Sequence, residues 1–282
     1  CPLPRVLSRI ISDPVNRLVK SAAFAMGHGM CIISLAWQTH PRWQLVAIGN
    51  RDEMHARPAE PLRRWPEHPH LLAGRDIRAG GTWLGISEQG RFAAVTNLAG
   101  HGPPDSSRAS RGDLLKDFLA GEGRYADLDT AVFPNFNPFN LVTIANGEAE
   151  VHCNHPEPLS RPLEPGIHGL TNGPLDRPWP KARHLDAALN DWLQSGSQDS
   201  SPLLDALVNR RTYPRAAAMV PGPPAPLEPA SSGIFIDNPV YGTRCSTIVT
   251  IDWSGEGMIR ERRYDDTAMV TGEDQIFFSW PG

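Results

Sequence analysis

A thiol, a guanidinium and a carboxylate fall close together near the start of this sequence. They are Cys31 in Met30-Cys31-Ile32-Ile33-Ser34, and Arg51 and Asp52 in Asn50-Arg51-Asp52-Glu53. Two β-rich runs, 30–36 and 44–49, are joined by a short loop through His40-Pro41, a pattern that predicts a hairpin. The hairpin would bring Cys31 beside Arg51 and Asp52 at one end of a sheet. A guanidinium in that place favours the thiolate, and the carboxylate can orient either the guanidinium or an amine.

The methionine before Cys31 gives this grouping its chemistry. If translation starts at Met30, that residue is removed because cysteine is small, and Cys31 acquires a free α-amine. The amine has a reference pKa of about 7.7–8.0 and lies within reach of its own thiol, so one residue would supply both nucleophile and base. Residues 1–29 fit this scheme poorly. They carry Arg5, Arg9, Arg17 and Lys20 ahead of a short apolar patch at 22–26, below the roughly 7–15 apolar residues of a signal peptide. The expectation is that 1–29 is upstream sequence outside the functional protein. A propeptide removed by self-cleavage and an ordinary N-terminal helix are the alternatives.

The tetrad Asn50-Arg51-Asp52-Glu53 resembles the signature of the NRDE family, which includes transport and Golgi organisation protein 2, and the resemblance runs from Met30 to the C-terminus. Through scattered short motifs the chain is more distantly similar to N-terminal-nucleophile (Ntn) hydrolases of the choloylglycine hydrolase and penicillin V acylase type. Thr171-Asn172-Gly173-Pro174 resembles their Thr-Asn-x-Pro segment. The resemblance implies an αββα four-layer sandwich, with Arg51 and Asp52 flanking a nucleophilic Cys31. In the acylases the matching arginine and aspartate stand further apart in sequence than they do here. The resemblance also implies that Asn97 and Asn172 hold an oxyanion, and that Arg244 shares the pocket and supports Cys31 or Asp52. A second implication is a non-catalytic carrier of haem, lipid or acyl-CoA on the same fold.

The elements that must position these residues can be read from the pattern. Strand-like runs at 71–76, 80–86 and 91–97 predict strands, the last two joined by the hairpin turn Ser87-Glu88-Gln89-Gly90. Asn97 then falls at a strand end, where a side chain can project into a site. The spacing of Leu114, Leu115, Phe118 and Leu119 predicts a helix over 111–120, and a second short helix is expected over 126–132. Strands at 140–145 and 149–153 turn at Asn146-Gly147. Helices follow at 180–194 and 203–208, then strands at 234–236, 245–251, 258–263 and 275–278. Two proline-rich stretches, 57–61 and 221–229, are expected to be loops. Strands, then helices, then strands indicate an α+β fold.

Arg244 opens a buried-looking strand, where a lone cation would be expensive and needs a partner. Thr243 and Ser246 beside it are expected to be support, and Asn50 and Glu53 to be structural residues capping a turn. His152-Cys153-Asn154-His155 crowds potential metal ligands, but alternate residues of a strand point to opposite faces and no second cluster completes a tetrahedral site. Cys1-Pro2 could be read as a haem-regulatory dipeptide but lies in the doubtful leader. Trp37, Trp43, Trp65 and Trp83 are expected to anchor core and loops. No metal or organic cofactor is expected.

Composition limits the function classes. The 282 residues are 40% hydrophobic, enough for a real core, and 28 Pro with 25 Gly imply many ordered loops. With no linker-like stretch inside it, 31–282 is expected to be a single domain. A net charge of −4 without a basic stripe excludes nucleic acid as a partner, and no apolar run reaches the length of a bilayer span. Four scattered cysteines without CxxC spacing argue against zinc and against a disulfide framework, which makes the reducing cytoplasm the expected compartment. The expected partner is a small-molecule substrate or a hydrophobic ligand.

Overall fold

In the computed structural model, the described residues are 31–212 and 232–281. The expectations for 1–29, for Met30 and for the proline-rich loop at 221–229 lie outside them.

The hairpin forms as β1 (Ile32–Trp37) and β2 (Trp43–Met54), with Ile32 opposite Asn50 and Trp37 opposite Leu45. β2 is longer than its apolar run. It continues through the tetrad because β11 (Tyr241–Asp252) pairs along its whole length, Tyr241 opposite Met54 and Thr247 opposite Gly49. The tetrad is therefore strand and not a capped turn. β12 (Glu256–Tyr264) and β13 (Val270–Ser279) extend the sheet on one side and β10 (Gly166–Leu170) on the other, giving the antiparallel order β10-β1-β2-β11-β12-β13.

The second sheet has seven antiparallel strands in simple sequence order. They are β3 (Ala59–Trp65), β4 (His68–Asp76), β5 (Leu84–Ser87), β6 (Arg91–Asn97), β7 (Phe139–Ala145), β8 (Glu148–Cys153) and β9 (Leu159–Pro162).

Side-chain alternation sorts the strands into layers. Ile33, Leu35 and Ala47 of the first sheet meet Ile86, Phe92 and Val142 of the second in the core between the sheets. Ile32, Val46 and Ile48 point the other way, onto Leu185 and Leu189 of α2 (Pro180–Ser195) and Leu204 of α3 (Ser201–Leu207). Ala73, Ala93 and Leu141 of the seven-stranded sheet likewise bury against Leu115 and Leu119 of α1 (Arg111–Ala120). β1 is buried on both faces, which is why it reads as a continuous apolar run. The order of layers is helix, sheet, sheet, helix, the expected αββα sandwich. Among the described residues no helix is long and apolar enough to cross a membrane.

Several elements differ from expectation. Pro61 sits in β3 rather than in a loop; β3 is an edge strand, and its register shifts between Glu60 and Arg63, so the missing N–H is tolerated. The helix expected over 126–132 is a 3₁₀ turn at Thr130–Asn135, with Pro134 inside it. Residues 234–236 are buried but form no strand; beside them, Gly233 makes a single bridge to Thr212. β9 and β10 went unread because Pro162, Gly166 and Gly169 break their patterns. In β10, Gly169 lies opposite Ser34, and a Cβ there would press on Ala182 and Asp186 of α2.

Candidate functional site

The site forms where β1, β2 and β11 end together. One step beyond the Ile32–Asn50 pair, Cys31 lies alongside Arg51, and Cys245 faces Arg51 from β11. Neighbours on β2 point to opposite faces. Asn50 turns toward the helices, where its Nδ2 donates to the carbonyls of Leu207 and Ile234, both at 2.8 Å, and its Oδ1 accepts from Ser246. Arg51 turns toward the facing sheet, and Nη2 donates to Asp76 Oδ2 at 2.8 Å. Arg57 Nε donates to the same oxygen at 2.5 Å, and Glu53 lies 4.0 Å from Arg51 and 3.7 Å from Arg57. Asn50 ties the sheet to the segments at Leu207 and Ile234, whereas Glu53 lies beside Arg51 and Arg57 in the cavity wall; neither caps a turn.

Asp52 is buried. Its Oδ1 accepts from the Thr243 hydroxyl at 2.6 Å and its backbone carbonyl from the Tyr241 hydroxyl at 2.9 Å. Its second oxygen, Oδ2, is buried with no hydrogen-bond partner among the described residues. Burial pushes the Asp52 carboxyl up to about 7, against the pull of the Lys181 charge, the Thr243 hydrogen bond and Arg51. The Cys31 thiol is pushed up to about 12, first by burial and then by the Asp52 charge, with partial relief from the Asp52 backbone and Arg51. With its nitrogen in a peptide bond, Cys31 is therefore a protonated thiol at neutral pH.

These residues open onto a cavity of about 710 Å³ between the sheets. Cys31, Arg51, Asp52, Asn97 and Arg244 all line it; Asn172 does not. Asn172 is fully buried, and its Nδ2 donates to the Asn97 carbonyl at 2.7 Å, which ties it to the backbone of a residue that does line the cavity. Arg244 sits at a bulge, where the β2–β11 register shifts between Thr243 and Cys245. Its Nη1 donates to the carbonyls of Met54, His55 and Arg57 at 3.0, 3.1 and 2.9 Å. It lines the cavity, and these bonds brace the segment after β2 rather than Cys31 or Asp52.

With the geometry in place, comparison with known proteins fixes the family. The family model described as Transport and Golgi organisation 2 matches residues 30–266. The chain belongs to this family. The human Transport and Golgi organization protein 2 homolog is 30% identical over 282 residues, covering 88% of this chain and 98% of the relative. Among solved structures, the Caenorhabditis elegans N-acylethanolamine-hydrolyzing acid amidase ortholog covers 78% of this chain and 91% of its own, at 11% identity and a TM-score of 0.40. A mutant of the conjugated bile acid hydrolase from Clostridium perfringens covers 89% and 97%, at 10% identity and a TM-score of 0.40.

This family member also holds site residues that its sequence pattern did not reveal. Asp76 receives both Arg51 and Arg57, yet it reads in sequence only as the end of a strand. Arg111, the first residue of α1, lines the cavity and donates from Nη1 to the Pro138 carbonyl at 3.0 Å. It comes so close because Gly81 touches Gly112; a Cβ on Gly81 would collide with the Gly112 backbone. Lys181 is fully buried at the start of α2, donates to Ser232 at 2.7 Å and acts on the Asp52 charge. A lysine and an arginine in the first turn of two helices look like solvated ends when only the sequence is read.

Proposed function

We propose that this chain is a cysteine-nucleophile hydrolase of a carbon–nitrogen amide bond, active when Cys31 carries a free α-amine. The observation that supports this most is the unpartnered Oδ2 of Asp52 beside a thiol held at about 12. A neutral α-amine on Cys31 that takes up the thiol proton would become an ammonium, giving the buried carboxylate a cation and lowering the cost of ionising the sulfur.

The amine takes the thiol proton as sulfur attacks the amide carbonyl, and the electrons move onto oxygen. Asn97, which lines the cavity, is the group that would steady that oxyanion, with Asn172 holding its backbone. The ammonium then protonates the leaving nitrogen, the C–N bond breaks and a thioester remains on Cys31. Water, deprotonated by the same amine, attacks the thioester carbonyl; the C–S bond breaks, the carboxylic acid leaves, and the ammonium returns its proton to the sulfur. Arg51 tunes the nucleophile, Thr243 fixes Asp52, and Arg244 braces the wall.

The test compares parent protein with Cys31→Ala and Cys31→Ser on a panel of acyl amides, with folding followed by circular dichroism. Turnover lost in Cys31→Ala with folding intact is expected. Turnover equal to that of the parent would remove the proposal.

A further inference from the structure

Eight arginines line the cavity between the sheets, and their pairing is uneven. Arg51 and Arg57 share Asp76, Arg75 pairs with Glu67, Arg108 with Asp105, and Arg263 with Glu261 and Asp274. Arg78, Arg111 and Arg244 have no carboxylate within 4.0 Å among the described residues. Arg244 directs Nη1 at three carbonyls of the segment after β2, away from Cys31, and Arg78 is exposed at the rim. Arg111 differs from both: it is partly buried, it lines the cavity with Cys31, and its Nη1 donates to a single carbonyl.

We infer that Arg111 is the receptor for an anionic oxyacid group of the substrate, a carboxylate or a phosphate carried a few bonds from the scissile amide. This deepens the hydrolase reading and rests on it. A guanidinium away from bulk water without a counter-ion is costly, and burial already lowers its pKa to about 10. An oxyacid entering the cavity removes that cost and meets a planar fork that matches its own geometry. Close Gly81–Gly112 packing fixes the base of this side chain, so its place relative to Cys31 is set by backbone contact. Arg78 at the rim adds attraction on entry.

The test reads binding rather than turnover, on Cys31→Ala protein, with three probes that share one acyl chain: N-decanoylglycine, N-decanoyl-2-aminoethyl phosphate and neutral N-decanoylethanolamine. At least one anionic probe is expected to bind about ten-fold or more tighter than the neutral one. Whichever wins identifies the oxyacid. Adding Arg111→Gln is expected to erase the preference and leave neutral binding unchanged, while Arg111→Lys, the guard against misfolding, retains part of it. Equal binding of all three probes, binding of none up to millimolar concentration, or an equal loss for all three in Arg111→Gln would each overturn the inference. In a second arm, on protein that keeps Cys31 as its first residue, turnover of the neutral probe as fast as the anionic ones would remove the anion site and keep the hydrolase; anion preference in binding without turnover of any amide would do the reverse.

Discussion

Arg51 on β2 of one sheet and Asp76 on β4 of the other are joined by a 2.8 Å charge-assisted hydrogen bond across the space between the sheets. Both are mostly buried, their side chains 10% and 15% exposed, so water does little to weaken the pair. Asp76 accepts from Arg57 as well; burial works against its ionisation, yet the two guanidiniums and the Ala79 backbone hold its carboxyl below the usual range. Both residues line the cavity beside Cys31.

Removing the shared acceptor should cost more than removing one donor. Asp76→Asn strands two guanidiniums, whereas Arg51→Gln leaves Asp76 with Arg57. The expected loss is about 3 kcal/mol or more for Asp76→Asn and less for Arg51→Gln, and the double variant should fall well short of their sum. Urea denaturation of the three proteins measures this; additive losses would mean that the pair is not coupled.

Stability should vary with pH through Asp52. Its folded pKa of about 7 lies above the unfolded value of about 3.9, so between these limits the folded chain binds the extra proton. The Asp52 contribution is therefore most favourable at low pH and is lost as pH rises from about 4 to about 7, by a few kcal/mol. His152 works in the opposite sense. Burial lowers its pKa to about 4, so its contribution is lost as pH falls below about 6.5. The difference between Asp52→Asn and parent isolates the carboxyl: in chains whose Cys31 nitrogen is an amide, the variant should gain on the parent as pH rises from 4 to 7. A constant difference would contradict the assignment.

Arg244→Gln should loosen the segment from Met54 to Arg57 without disturbing the sandwich. Three carbonyls lose a charged donor, for an expected cost of about 1–3 kcal/mol. Amide hydrogen exchange should rise at 54–57 and stay unchanged in β6 and β7. Exchange unchanged everywhere would show that the brace is not needed.

Much of the fold was legible because periodicity acts locally. Leu114, Leu115, Phe118 and Leu119 mark α1, and Asn146-Gly147 marks the β7–β8 turn. Cys31, Arg51, Asp52, Asn97 and Arg244 were readable as site candidates because each ends or opens a strand-like run. Asp76, Arg111 and Lys181 were not, since their importance comes from their place between layers: Arg51 to Asp76 spans the two sheets, and the Lys181 charge acts on Asp52 from a helix. Asn172 is the converse case. Its motif stands out, yet the bond it makes here is to the Asn97 backbone. The proline that suggested a loop at Pro61 was compatible with a strand only because β3 lies at a sheet edge, a property that sequence spacing does not carry.

The most direct test of the account is the pH profile of Cys31 alkylation by iodoacetamide, read by peptide mass, in two forms of the protein. One has Cys31 as its first residue and the other retains the residues ahead of it. With a free α-amine beside Asp52, the thiol should titrate near neutrality, and alkylation at pH 7 should be about 100-fold or more faster than in the extended form, where burial holds the thiol at about 12. Equal rates in the two forms, with no titration below pH 9, would contradict it.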